Sequence, residues 1–201
     1  MKTPLNKQKP KKQMTNKKIS MISDDVMALQ KLFYQTHDYP EQKYKDRILI
    51  LGIGNYLMGD EGVGVHVVQA LSKAKLPDHV DIVDGGTGSF DLMPILSHYP
   101  LVIFVDATMD FRPPGTIDVL YPEFAADFPT VLSAHDVGLK DMIDALEFKG
   151  ELPKIILITV SIKGMSPMDI TLTDEVQASI PKVIETIQDI LSKIKIDENI
   201  E

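Results

Sequence analysis

The sequence predicts an α/β protein, a three-layer α/β/α sandwich around a mostly parallel five-stranded sheet. Three observations carry this expectation. Apolar runs of strand length alternate with amphipathic stretches of helix length from residue 47 onward. The runs ILILGIG (48–54), LVIFVDA (101–107) and KIILITVSI (154–162) are apolar at consecutive positions, the pattern of strands buried on both faces. The first two close on glycine or aspartate, and in parallel sheets the functional site lies outside the carboxyl ends of the strands.

The elements follow in order. The first strand, 48–54, leads through a glycine-rich loop to a helix over 62–74, with Val63, Val67, Ala70 and Leu71 on one face. VDIVDGG (80–86) is a second strand that ends in glycines. SFDLMPILS (89–97) reads as helical from Ser89, with Pro94 working against a single regular helix. The third strand is 101–107. A turn at PPGT (113–116) precedes a fourth strand at 117–121, placed at the sheet edge. DVGLKDMIDALEF (136–148) is an amphipathic helix, and 154–162 is the fifth strand. A long helix over 173–194 closes the chain, with Thr173 as cap and Pro181 as a local fault.

This organisation divides the chain into a basic extension, 1–46, and an α/β domain, 47–201. Met1 to Ser20 hold seven lysines and no acidic residue, a composition that cannot bury enough surface to order itself. Residues 24–35 place Val26, Leu29, Leu32 and Phe33 at helical spacing behind Asp24, so a short helix is expected there. The chain carries a net charge of -8, which disfavours general nucleic-acid binding. No apolar run approaches the ~20 residues that span a bilayer, so no membrane partner is expected. The basic N-terminus lacks the apolar stretch of a secretory signal, and the expected location is cytoplasmic. With no cysteine, disulfides, thiolate metal sites and a cysteine nucleophile are excluded.

The loop GIGNYLMGDEGVG (52–64) invites comparison with a dinucleotide fingerprint, but the third glycine position falls on Leu57. Asp60 and Glu61 would also repel a pyrophosphate. Acids beside a helix start have an ordinary role in capping, and for Asp60 capping and metal work stand level. Asp106 closes an apolar strand, where an unpaired charge costs several kcal/mol. Its ordinary role would be to hold a neighbouring loop. His135 precedes a helix, and alone it reads as a surface or capping histidine. Together, Glu61, Asp106 and His135 come from three loops that the topology gathers on one edge. Two carboxylates and one imidazole form an incomplete shell suited to a first-row divalent metal, with positions left open. His37, His66, His79 and His98 lack such company. Ser133 near His135 has no strand–turn–helix elbow around it, so a serine hydrolase is not favoured.

GIGNYLMGDEGVGVHVVQAL, DGGTGSFDL, LVIFVDA and SAHDVGLKDMIDALEFKGELP together resemble, in order and spacing, the [NiFe]-hydrogenase maturation endopeptidases. The resemblance spans about residues 47–192. It implies an α/β/α sandwich and a nickel-recognising protease that trims the C-terminal extension of the hydrogenase large-subunit precursor after nickel insertion. It carries the metal contacts onto Glu61, Asp106 and His135, and the aspartate of the D-G-G-T segment onto Asp84, a candidate catalytic base. The implied nickel arrives with the substrate, and the isolated protein would hold another divalent metal only weakly. A monomer or weak dimer is expected. Residues 1–46 precede the usual start of the family, and VSIKGMSP (160–167) differs from the acidic, proline-bearing stretch of close relatives, a difference that bears on partner specificity. Two rival readings are a self-contained metallohydrolase with its own zinc and a non-catalytic assembly chaperone of the hydrogenase subunit.

Overall fold

The computed structural model describes residues 44–88, 90–123, 127 and 136–194. The chain divides into two units, Met1–Pro40 and Glu41–Glu201, and every described residue belongs to the second. The helix expected at 24–35 and its Asp24 cap lie outside the described residues, as do Ser89, Ser133 and His135.

Among the described residues, one five-stranded sheet has the order β2-β1-β3-β5-β4. The strands are β1 Ile48–Ile53, β2 Val80–Gly86, β3 Leu101–Thr108, β4 Ile117–Leu120 and β5 Lys154–Ser161. The β1–β2, β1–β3 and β3–β5 pairs are parallel, and β4 joins the edge antiparallel to β5. The sheet is therefore mostly parallel, as the buried apolar runs require. The helices are α1 Val63–Leu71, α2 Met93–Leu96, α3 Asp136–Lys149 and α4 Asp174–Lys193.

Alternation along the strands builds two cores. Ile48, Ile50, Ile103, Val105, Ile156 and Ile158 pack with α1 and α4 on one face. Leu49, Leu51, Val102, Phe104, Ile155 and Leu157 pack with α2 and α3 on the other. This is the predicted α/β/α sandwich. At the amino ends of the strands, Arg47 closes on Asp81 with Nη2 donating to Oδ1 at 2.6 Å, and the Tyr99 hydroxyl donates to Asp81 Oδ2 at 2.9 Å.

Local details depart from the simple reading for physical reasons. The stretch 89–97 is not one helix. A 3₁₀ turn, Phe90–Leu92, gives way to the single turn of α2. Pro94 then sits at the start of α2, where its missing N–H has no intrahelical partner to lose. Helix α1 stops at Leu71, because the following Ser72, Lys73 and Ala74 are exposed and bury nothing. Pro181 does not interrupt α4, which runs through it. The 113–116 turn forms with Thr116 N donating to Pro113 O at 3.1 Å and Gly115 at φ +80°. Pro then Gly at its central positions is the sequence of a type II turn.

Candidate active site at the carboxyl edge of the sheet

Seven polar or charged residues are buried among the described residues, and six of them lie at the carboxyl edge of the sheet. They are Asp60, Glu61, Asp106, Thr108, Thr159 and Ser161. Their placement follows from register. Val102 and Phe104 of β3 and Ile155 and Leu157 of β5 face α3. Two residues further along, the same face turns polar in both strands at once. Asp106 is the register partner of Thr159, and Thr108 of Ser161. Four polar side chains thus occupy consecutive positions on the α3 face, just past the apolar core.

Asp106 is fully buried, and its Oδ1 accepts from Ala107 N at 2.7 Å. Glu61 is also fully buried, within the 3₁₀ turn Gly59–Gly62 that packs against β3. Glycines bring that turn so close. Gly54, at φ +134°, lies where a Cβ would stand 2.0 Å from the Glu61 carbonyl oxygen. A Cβ on Gly64 would stand 2.2 Å from Val105 O and 2.3 Å from Ile53 O. The glycines of this loop therefore serve backbone-to-backbone contact between α1, β1 and β3, and hold Glu61 at the edge that Asp106 occupies.

Asp60 has a different role. Its Oδ1 accepts from Thr173 N at 2.7 Å and its Oδ2 from Thr173 Oγ1 at 2.9 Å. Thr173 is the N-cap residue of α4, but its side chain makes no cap bond and is held by Asp60 instead. Asp60 bonds a free N–H at a helix start, as the capping reading expects, but the helix is α4 and not the one that follows Asp60 in sequence. The carboxylate ties the first loop to the start of the last helix.

Asp84 is exposed, and its Oδ1 accepts from Gly86 N at 3.0 Å. It pairs with Gly52 in register, and alternation with Ile82 assigns it to the α1 face, opposite to Asp106. Asp84 and Asp106 lie two strands apart, about 10 Å at the usual spacing. His135 directly precedes α3 in the sequence and lies outside the described residues. Among the described residues no group of three or more histidine and carboxylate side chains is arranged to hold a metal ion.

Sequence reasoning missed Thr108, Thr159 and Ser161. Each is a hydroxyl residue at the far end of an apolar run, and register alone brings them beside Asp106. It also missed a lattice beyond β3, where Asp110 accepts from Arg112 N at 3.1 Å, Arg112 Nε at 2.8 Å and Ser161 Oγ at 3.1 Å. Arg112 Nη1 reaches Asp118 at 2.6 Å. His66 stacks on Tyr56 with ring centroids 4.8 Å apart, joining α1 to the first loop. Burial pushes the His66 imidazole below the ordinary histidine range, with the Ile170 backbone opposing that shift.

A parallel α/β sandwich with acids and hydroxyls buried at the carboxyl edge defines an enzyme-type site at the place where such folds hold their ligands. Comparison with known proteins gives the family. Residues 65–190 match the hydrogenase maturation protease family. The chain is 39% identical over 145 residues to the hydrogenase 2 maturation protease of Escherichia coli K12, covering 70% of this chain and 88% of that protein. It is 36% identical over 148 residues to the hydrogenase expression/formation protein HupD of Rhizobium leguminosarum, covering 70% and 71%. The solved structure of the hydrogenase maturating endopeptidase HybD from E. coli superposes with a TM-score of 0.67 at 38% identity, over 73% of this chain and 93% of that one. The chain belongs to the hydrogenase maturation protease family, and its activity class is that of an endopeptidase.

Proposed function

We propose that this endopeptidase recognises nickel held in a [NiFe]-hydrogenase large-subunit precursor and removes the precursor's C-terminal extension. The observation that carries the reading is the buried pair Glu61 and Asp106 at one edge of the sheet, beside a face that turns from apolar to polar at Asp106. Two carboxylates at one buried edge favour a cation between them over their mutual repulsion. Glu61 and Asp106 are proposed to offer oxygens, and His135 a nitrogen, to coordination positions that the precursor's own ligands leave open. Nickel so bound is substrate cargo, and the isolated protein holds another divalent ion only weakly, since three ligands without a thiolate make an incomplete shell. The ion supplies Lewis acidity at the scissile carbonyl. Asp84, exposed and on the other face, is proposed as the base that takes a proton from water outside the ion's immediate shell. The site is proposed to work in the cytoplasm, in a monomer or weak dimer, without nucleic acid or membrane.

The test is cleavage of nickel-loaded precursor, read by the mass of its C-terminus. Glu61→Gln and Asp106→Asn each preserve shape and remove the charge. Both are expected to abolish processing with the fold intact, and His135→Ala to do the same. Asp84→Asn should lower kcat without weakening precursor binding. Wild-type rates in the first three variants would sink the ligand assignment, and in Asp84→Asn the base assignment.

A further inference from the structure

Beyond Asp106, β3 and β5 run on to a cleft of ≈ 400 Å³ lined by Met109, Phe111, Arg112, Pro114, Ile162 and Lys163. Its register puts it about three residues past Asp106, roughly 10 Å along the strands. Two observations mark it. Phe111 is 98% exposed and sits at φ 63°, a left-handed conformation that a bulky residue rarely adopts. Such backbone persists only where its surroundings impose it. Here they do, because the residues on either side hold each other: Asp110 accepts from Arg112 N and Nε, Ser161 anchors Asp110, and Asp118 takes the far side of the guanidinium. The loop thus holds the Phe111 backbone in place while its ring faces solvent, so a ligand that packs on the ring has no backbone left to order.

The second observation is charge. Arg112 already carries two carboxylates, whereas Lys163 makes no ion pair among the described residues. Lys163 is therefore the cation the cleft has available, in a chain of net charge -8.

We propose that this cleft is a specificity subsite for the precursor's C-terminal extension, in which Phe111 packs against an apolar side chain and Lys163 pairs with a neighbouring carboxylate of that extension. The proposal rests on the processing reading above and adds to it what the substrate must carry: an apolar residue next to an acidic one, roughly three residues from the reacting bond. Contact between Phe111 and its ligand gives affinity, and the ion pair selects the partner, since a like charge would repel at the same spot.

The experiment measures both binding and cleavage of the nickel-loaded large-subunit precursor from the same organism. Phe111→Gly relieves the left-handed strain, so it should leave the melting temperature equal or higher while weakening binding about tenfold, the scale of one anchoring contact. A merely structural role for Phe111 would not separate these two readouts. Lys163→Glu should weaken binding by a similar factor with kcat unchanged. A precursor whose extension has its acidic residues changed to lysine should restore binding to that variant and bind poorly to wild type. Unchanged affinity in both variants would overturn the subsite, as would an extension with no acidic residue near the cut. If wild type binds with these contrasts but does not cleave, the processing reading fails and the subsite stands.

Discussion

Gly64→Ala tests whether the glycine loop exists to seat Glu61. Alanine is the better helix former by about 1 kcal/mol, and Gly64 lies inside α1, so propensity alone predicts stabilisation. The packing predicts the reverse. The added Cβ would stand 2.2 Å from Val105 O and 2.3 Å from Ile53 O, on two different strands, and side-chain carbons essentially never come within 3.0 Å of such atoms. Neither oxygen can yield, because both belong to the sheet backbone, so the start of α1 must lift by about 1 Å. Overpacking of this kind costs about 1–3 kcal/mol. In a domain of this size that is a fall of about 2–12 °C in melting temperature. The lift also carries the Gly59–Gly62 turn away from β3 and displaces Glu61, and a 1 Å error at a site costs about a hundredfold in rate. Thermal unfolding and precursor cleavage read the two effects. Gly164→Ala, which meets nothing within 4 Å, is the control and should stay within about 0.5 kcal/mol of wild type. A Gly64→Ala variant with wild-type melting and turnover would refute the close-approach argument.

Two further perturbations address the supports of the site. Asp60→Ala removes two charge-assisted bonds to Thr173 and should cost about 2–4 kcal/mol by denaturant unfolding, whereas Thr173→Val keeps the backbone bond and should cost about 1–2 kcal/mol. Equal losses in the two variants would count against the tie between loop and helix. His66 is held below its ordinary value of 6.5 in the folded state, so the unfolded chain binds the proton more readily. Its stabilising contribution is present above that value and is lost as pH falls through the lower folded pKa. His66→Phe retains a ring against Tyr56 and should flatten the fall in melting temperature below about pH 6.5. An unchanged pH profile would remove His66 as its cause. Asp110 does not confuse that window. Burial raises its carboxyl, the bonds from Arg112 and Ser161 more than offset this, and it titrates below the ordinary value of 3.8.

The fold was legible because parallel strands are written as unbroken apolar runs. Ile48–Ile53 is buried at every position, and no solvent-facing residue blurs its signal. The edge strand β4 was legible from its turn and its brevity. Glu61 and Asp106 were legible as acids where an α/β sheet carries its site. What stayed hidden depends on partners far away in sequence. Asp60 and Thr173 are 113 residues apart, and nothing local to either announces the bond. The break in 89–97 was half visible in Pro94, whose ring suits the first turn of a helix but not its middle. The opposite faces of Asp84 and Asp106 follow only from register, since each reads as an acid closing a strand. The shared polar patch on β3 and β5 was obscured for the same reason: Thr159 and Ser161 acquire meaning when Asp106 and Thr108 stand beside them.

Metal dependence tests the central claim most directly. The enzyme is treated with a chelator, freed of it, and mixed with precursor in nickel-loaded and nickel-free forms, and the precursor's C-terminus is followed by mass. If the ion is cargo recognised through Glu61, Asp106 and His135, the loaded precursor is shortened at the untreated rate and the nickel-free form stays full length even with excess enzyme. Cleavage of the nickel-free form at a similar rate would contradict the account in favour of a self-contained hydrolase, and binding of the loaded form without shortening would contradict it in favour of an assembly chaperone.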